Sequence, residues 1–134
     1  MAKLNEYLTV GEAAKLLRCS TADIQQDRLA AVRQLQHEYG GVVVLKGAGS
    51  LIANGEEPVF ICNAGNPGMA TGGMGDVLTG VIAGLIAQGL SIMDAAKLGV
   101  MTHAIAGDRA AKKGERGLIA SDVIKQLREL VNEH

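Results

Sequence analysis

The chain has 134 residues, 48% of them hydrophobic, with 13 Lys and Arg against 14 Asp and Glu for a net charge of −1. That length and apolar content suit one domain with a real core and exclude a disordered chain. The balanced charge excludes the basic field that general nucleic-acid binding needs. Tyr7, Tyr39 and Phe60 are the only aromatics, so the interior has to be built from Ala, Val, Ile, Leu and Met.

Thr9 and Glu12 in "TVGEAAKLL" have capping-box spacing, with Ala13, Ala14, Leu16 and Leu17 as the apolar stripe behind them. Ser20 and Asp23 repeat the start signal, and Ile24, Ala31, Val32 and Leu35 predict one helix running on to Gly40-Gly41. "VVVLKG", residues 42–47, reads as a strand buried on both faces and at the centre of a sheet. "SLIANGEEPVFIC" reads as two strands joined around Asn54-Gly55. Val77, Leu78, Val81, Ile82, Leu85 and Ile86 mark the face of a later helix, on which Gly80 and Gly84 would admit another backbone closely. Ser91 and Asp94 open an Ala-rich helix ending near Gly114, and Val123, Ile124, Leu127, Leu130 and Val131 stripe a last one. The expectation is α/β, with about three strands and about five helices. A central strand needs neighbours on both sides and cover on both faces, and so few strands predict self-association.

Cys19 and Cys62 form no CxxC pair and read as small buried hydrophobes in a reducing compartment. The residues show no leader pattern and no apolar run long enough for a bilayer. The expectation is a cytoplasmic protein without a membrane partner.

Residues 63–80, "NAGNPGMATGGMGDVLTG", hold six glycines and one carboxylate, Asp76, at the start of a helix. Helix N-termini carry unsatisfied N–H groups and partial positive charge. Gly72, Gly73 and Gly75 lack a Cβ, so their amides can form an anion nest with Met74 between them. The sequence has no GxxxxGK(S/T) P-loop, and neither "GGMGDVL" nor "KGAGSL" fits the dinucleotide fingerprint in context. Tight-loop packing, with Asp76 as a helix-start acid, would give the same glycines. An amide nest beside a carboxylate is also what phosphoryl transfer needs: donors for the transferred group and a base for the attacking hydroxyl.

"GNPGMATGGMGDVLTGVIAGLIAQG", "AGDRAA", "GLIASDVI" and "YGGVVVLKGAGSLI", in that family's order, resemble the ADP-dependent NAD(P)H-hydrate dehydratases of the ribokinase-like superfamily. The resemblance implies the C-terminal portion of a three-layer α/β/α fold, with residues 1–134 as a single truncated nucleotide-binding domain. It implies that Lys46, Gly47, Ala48, Gly49 and Ser50 contact the adenine nucleotide, Ser50 standing for the family's Thr. It also implies an anion hole from Gly72, Gly73, Met74 and Gly75, and Asp76 as the base. The two segments would then serve one site. ADP, with AMP as the related ligand, and hydrated NADH or NADPH are the implied partners, and Mg²⁺ is expected on general phosphoryl-transfer grounds.

Family members are longer than this chain, and where they carry a substrate-side His in "TPHPGE" this chain has Thr9 in "YLTVGEAAKLL". Weak dehydratase activity is therefore expected, with a nucleotide-binding or inactive oligomeric fragment as the alternative. "YLTVGEAAKLLRCSTADIQ" also resembles the start of excisionase-type helix-turn-helix modules, although Asp23 and Asp27 would face phosphates there. His103 reads as a core or cap histidine, while His37 and His134 read as solvent-facing. Asn66 could touch ligand or serve a turn. Asp108 could face the nest, or pair with Arg109 or Lys112.

Overall fold

The computed structural model describes residues 7–132, so His134 and the residues before Tyr7 lie outside it. The elements are β1 Tyr7–Leu8, α1 Val10–Leu17, α2 Thr21–Gln26, α3 Arg28–Tyr39, β2 Val43–Leu45, β3 Ser50–Ala53, β4 Phe60–Cys62, a 3-10 turn at Pro67–Met69, α4 Met74–Ala87, α5 Ile92–Ala111 and α6 Ala120–Leu130. The chain divides after Cys62 into two compact units.

The first unit holds a four-stranded sheet ordered β1-β2-β3-β4. Its centre is β2, all three of whose residues are buried. β2 runs parallel to β1, with Tyr7 opposite Val44, and antiparallel to β3, with Val44 opposite Ile52. The predicted central strand thus has both neighbours. The fourth strand, β1, has only two residues, too few to give a periodic signal. β3 and β4 form the expected hairpin around Asn54-Gly55, joined by residues 54–59. Asn54 Oδ1 accepts from the N–H groups of Glu56 and Glu57 at 3.0 and 2.9 Å, and Gly55 takes φ 81°.

Both predicted capping boxes form. Thr9 N–H donates to Glu12 at 2.7 Å, and Ser20 N–H donates to Asp23 at 2.8 Å. The single helix expected after Ser20 is two helices. Asp27 leaves helical geometry at φ −146°, ψ 80°, and its carboxylate accepts from Ala30 N–H at 2.9 Å. A short acid that caps the next helix competes with continuing the previous one, and this raises the count from five helices to six. Ala13, Ile24, Val32, Leu35, Leu45 and Leu51 form the core of this unit. Cys62 is buried as expected, whereas Cys19, just past α1, is exposed.

The second unit is helical. α5 buries a run of small residues, among them Ala95, Ala96, Gly99, Ala106 and Gly107. The close approach expected at Gly80 and Gly84 occurs instead on α5. A Cβ on Gly80 or Gly84 would meet nothing within 4 Å, whereas one on Gly99 would collide with Ile82 Cγ1 and one on Gly107 with Met69 Sδ. On α6 only Val123 is buried, with Met74, Ala106, Ala110 and Leu118 around it. Ile124 and Val131 are 53% and 65% exposed, so the apolar stripe is narrower than the sequence suggested. Among the described residues no helix is long and apolar enough to cross a membrane.

Candidate functional site

Lys46, Gly47, Ala48, Gly49 and Ser50 lie in the first unit, where they turn the chain from β2 into β3. Gly49 needs left-handed backbone, φ 74°, which glycine adopts without a Cβ penalty. Ser50 Oγ lies 3.4 Å from Gly47 N–H as its acceptor and 3.3 Å from Gly47 C=O as its donor, so the hydroxyl folds the turn on itself. Lys46 is half-buried. Its charge contributes to holding the Glu12 carboxyl below the ordinary value, after the larger effects of the Thr9 backbone N–H and hydroxyl.

One residue that the sequence reading passed over supports this turn. Arg28, the first residue of α3, donates from Nη1 to Ala48 C=O at 2.7 Å and from Nη2 to Leu45 C=O at 3.4 Å. A Cβ on Gly47 would lie 2.6 Å from Arg28 Nη2, so glycine there makes room for the guanidinium. A single Arg after a capping Asp carries no motif that would have identified it.

Gly72, Gly73, Met74, Gly75 and Asp76 lie in the second unit, at the start of α4. Gly73 is the N-cap, left-handed at φ 84°, and makes no side-chain cap. Val77 N–H is the first to bond back, to Gly73 C=O at 3.1 Å. The N–H groups of Met74, Gly75 and Asp76 therefore find no acceptor among the described residues. They concentrate the positive end of a 14-residue helix at one spot. Asp76 is exposed in that first turn, and Gly72 has open space around the position of a Cβ.

Asn66 and Asp108 prove to be partners. Asp108 accepts from Asn66 Nδ2 at 2.9 Å and from Gly65 N–H at 3.0 Å. This tethers the entrance of the glycine-rich stretch to α5, and Asp108 forms no salt bridge with Arg109 or Lys112. His103 is buried on α5 as expected, and His37 is exposed. Among the described residues, no group of three or more His, Cys, Asp and Glu could hold a metal ion.

Residues 9–129 match the NAD(P)H-hydrate dehydratase family. The chain is 59% identical over 122 residues to the bifunctional NAD(P)H-hydrate repair enzyme Nnr of Vibrio cholerae, covering 90% of this chain and 24% of that one. It is 40% identical over 123 residues to the ADP-dependent (S)-NAD(P)H-hydrate dehydratase of Neisseria meningitidis, covering 90% and 42%. The chain thus spans about a quarter of the bifunctional relative and less than half of the dehydratase. Among solved structures, the Bacillus subtilis ADP/ATP-dependent NAD(P)H-hydrate dehydratase, co-crystallised with ATP and Mg²⁺, superposes with TM-score 0.88 at 23% identity, over 92% of this chain and 45% of that one. A ribokinase-like superfamily protein of Enterococcus faecalis gives TM-score 0.77 at 31% identity, over 92% and 42%. The α1–α2 pair that resembles an excisionase start lies inside the matched span. The fold is the ribokinase-like α/β fold over about half of those structures, and the chain belongs to the NAD(P)H-hydrate dehydratase family.

Proposed function

We propose that these 134 residues carry the nucleotide side of an ADP-dependent dehydratase that repairs hydrated NADH and NADPH. The observation that carries the reading is the start of α4, where three N–H groups lack acceptors beside the exposed carboxylate of Asp76. Such an array stabilises charge on a transferring phosphoryl group without reorganising. The ring hydroxyl oxygen attacks the terminal phosphorus of ADP, its proton passes to Asp76, and AMP leaves with the electrons of the broken P–O bond. Loss of phosphate, with a proton from the adjacent ring carbon, returns the double bond. Gly72, Gly73, Met74 and Gly75 hold the phosphoryl oxygens through main-chain N–H groups. Lys46, Gly47, Ala48, Gly49 and Ser50 contact the adenine nucleotide, and Asn66 serves as a substrate contact.

Mg²⁺ fits this site as an ion carried by the phosphates. It commonly binds through substrate phosphates and one or two carboxylates, and the exposed carboxylate of Asp76 stands beside the free N–H groups of α4. The bound ion would neutralise phosphate charge. We further propose that the protein is cytoplasmic; self-association is also proposed, since among the described residues β4 pairs on one side only and presents Ile61 at 51% exposure.

Positioning of the hydroxyl can supply roughly 7–11 kcal/mol of barrier reduction. Thr9 replaces the histidine that the family places at the substrate, so these residues alone turn over hydrated NADH slowly. The test is recovery of NADH absorbance from its hydrate with ADP and Mg²⁺. A slow ADP-dependent recovery supports the reading. Turnover of about 1 per second or faster would show that the whole mechanism resides here.

A further inference from the structure

Arg28 is placed at some energetic cost. It is the first residue of α3, where the helix dipole disfavours a cation. Partial burial strips water from its guanidinium and pushes its pKa below the ordinary value. Its Nε is buried with no partner, and no carboxylate among the described residues forms a salt bridge with it. The bonds it makes go to two carbonyls, Leu45 at the end of β2 and Ala48 at the tip of the following turn, with Gly47 between them left free of a Cβ.

We propose that Arg28 is a positioning residue for the nucleotide. It fixes the 46–50 turn through these two carbonyls, so that its main-chain groups and Lys46 are held in one arrangement before ligand arrives. The proposal rests on the reading of this turn as a nucleotide contact. A planar fork can bridge two carbonyls at once, and a lysine ammonium on a flexible stem does so poorly. Two carbonyls drawn onto one guanidinium leave the turn few conformations, which lowers the ordering cost of binding.

The experiment compares the unaltered chain with Arg28→Lys and Arg28→Ala by calorimetric titration with AMP. Hydrogen–deuterium exchange of the turn amides is measured in parallel without ligand. Loss of charge-assisted bonds corresponds to weaker AMP binding by about tenfold or more in Arg28→Ala. Arg28→Lys should recover only part of it, and dilute guanidinium should improve Arg28→Ala but not the unaltered chain. Exchange at Gly47, Ala48 and Gly49 should speed up while amides in α5 stay unchanged. If Arg28→Ala only lowers the melting temperature and binds AMP within twofold of the unaltered chain, the residue is structural and the proposal fails. If the unaltered chain binds no AMP, the nucleotide reading falls by itself. Selective loosening of the turn would then still support Arg28 as its clamp, and unchanged exchange would overturn that too.

Discussion

Asp108 on α5 accepts a hydrogen bond from Asn66 Nδ2 at 2.9 Å, across 42 residues of sequence. A carboxylate only accepts, so it assigns the Asn66 amide: Nδ2 toward Asp108 and Oδ1 away from it. Oδ1 is then buried without a partner among the described residues. The second Asp108 oxygen takes Gly65 N–H. One side chain thus sets both the backbone and the amide at the entrance to the stretch that leads into α4.

Asp108→Ala should lose about 1 kcal/mol of stability for each bond removed. Asp108→Asn should recover little, because its own NH₂ would compete for the position that meets a donor on Asn66 or Gly65. Urea midpoints of the two variants check this. An Asn variant as stable as the unaltered chain would show that the carboxylate is not what orders the entrance.

The glycines of α4 and α5 should respond oppositely to alanine. Gly99→Ala drives a methyl into Ile82 and should cost about 1–3 kcal/mol through overpacking. Gly80→Ala and Gly84→Ala, on a helix surface with nothing within 4 Å, should each gain about 0.5–1 kcal/mol. Thermal melts distinguish these. A loss at Gly80 or Gly84 would mean that another surface covers that face.

The contrast shows what the sequence made legible. Capping boxes at Thr9 and Ser20, the buried run around Val44 and the glycine-rich entry to α4 are local signals, and each was readable because the physics lies within a few residues. The break at Asp27 was missed because a short acid inside a helical pattern can either cap or ride along. Gly99, Arg28 and the Asn66–Asp108 pair depend on partners 17 to 42 residues away, which no spacing rule encodes. The resemblance located the glycine motifs, and only the fold located what holds them.

Acid should weaken the first unit through Glu12. Hydrogen bonds from Thr9, with help from Lys46, hold its folded pKa below the ordinary 4.5. A depressed carboxylate contributes stability that is fully present above the unfolded value and lost as pH falls through the folded one. Glu12→Gln should therefore be less stable at neutral pH and flatter below 4.5. Thr9→Ala should cost about 1 kcal/mol with the cap. Denaturation series across acidic pH would show it, and parallel curves for Glu12→Gln and the unaltered chain would contradict it.

Asp76 is a base or only a favourable helix-start acid. As a base, its change to Asn should abolish ADP-dependent recovery of NADH and leave ADP binding equal or tighter, since a negative charge beside the phosphates is gone. As a helix-start acid alone, the same change should cost about 0.3–1 kcal/mol of stability and leave the rate intact. Turnover and melting temperature of the one variant separate the two roles.

The central claim, that this chain holds a nucleotide, is tested most directly by calorimetric titration with ADP in the presence of Mg²⁺. The account predicts saturable binding at one site per chain, together with a melting temperature that rises with ADP by mass action. No heat of binding and an unchanged melting temperature at millimolar ADP would contradict it.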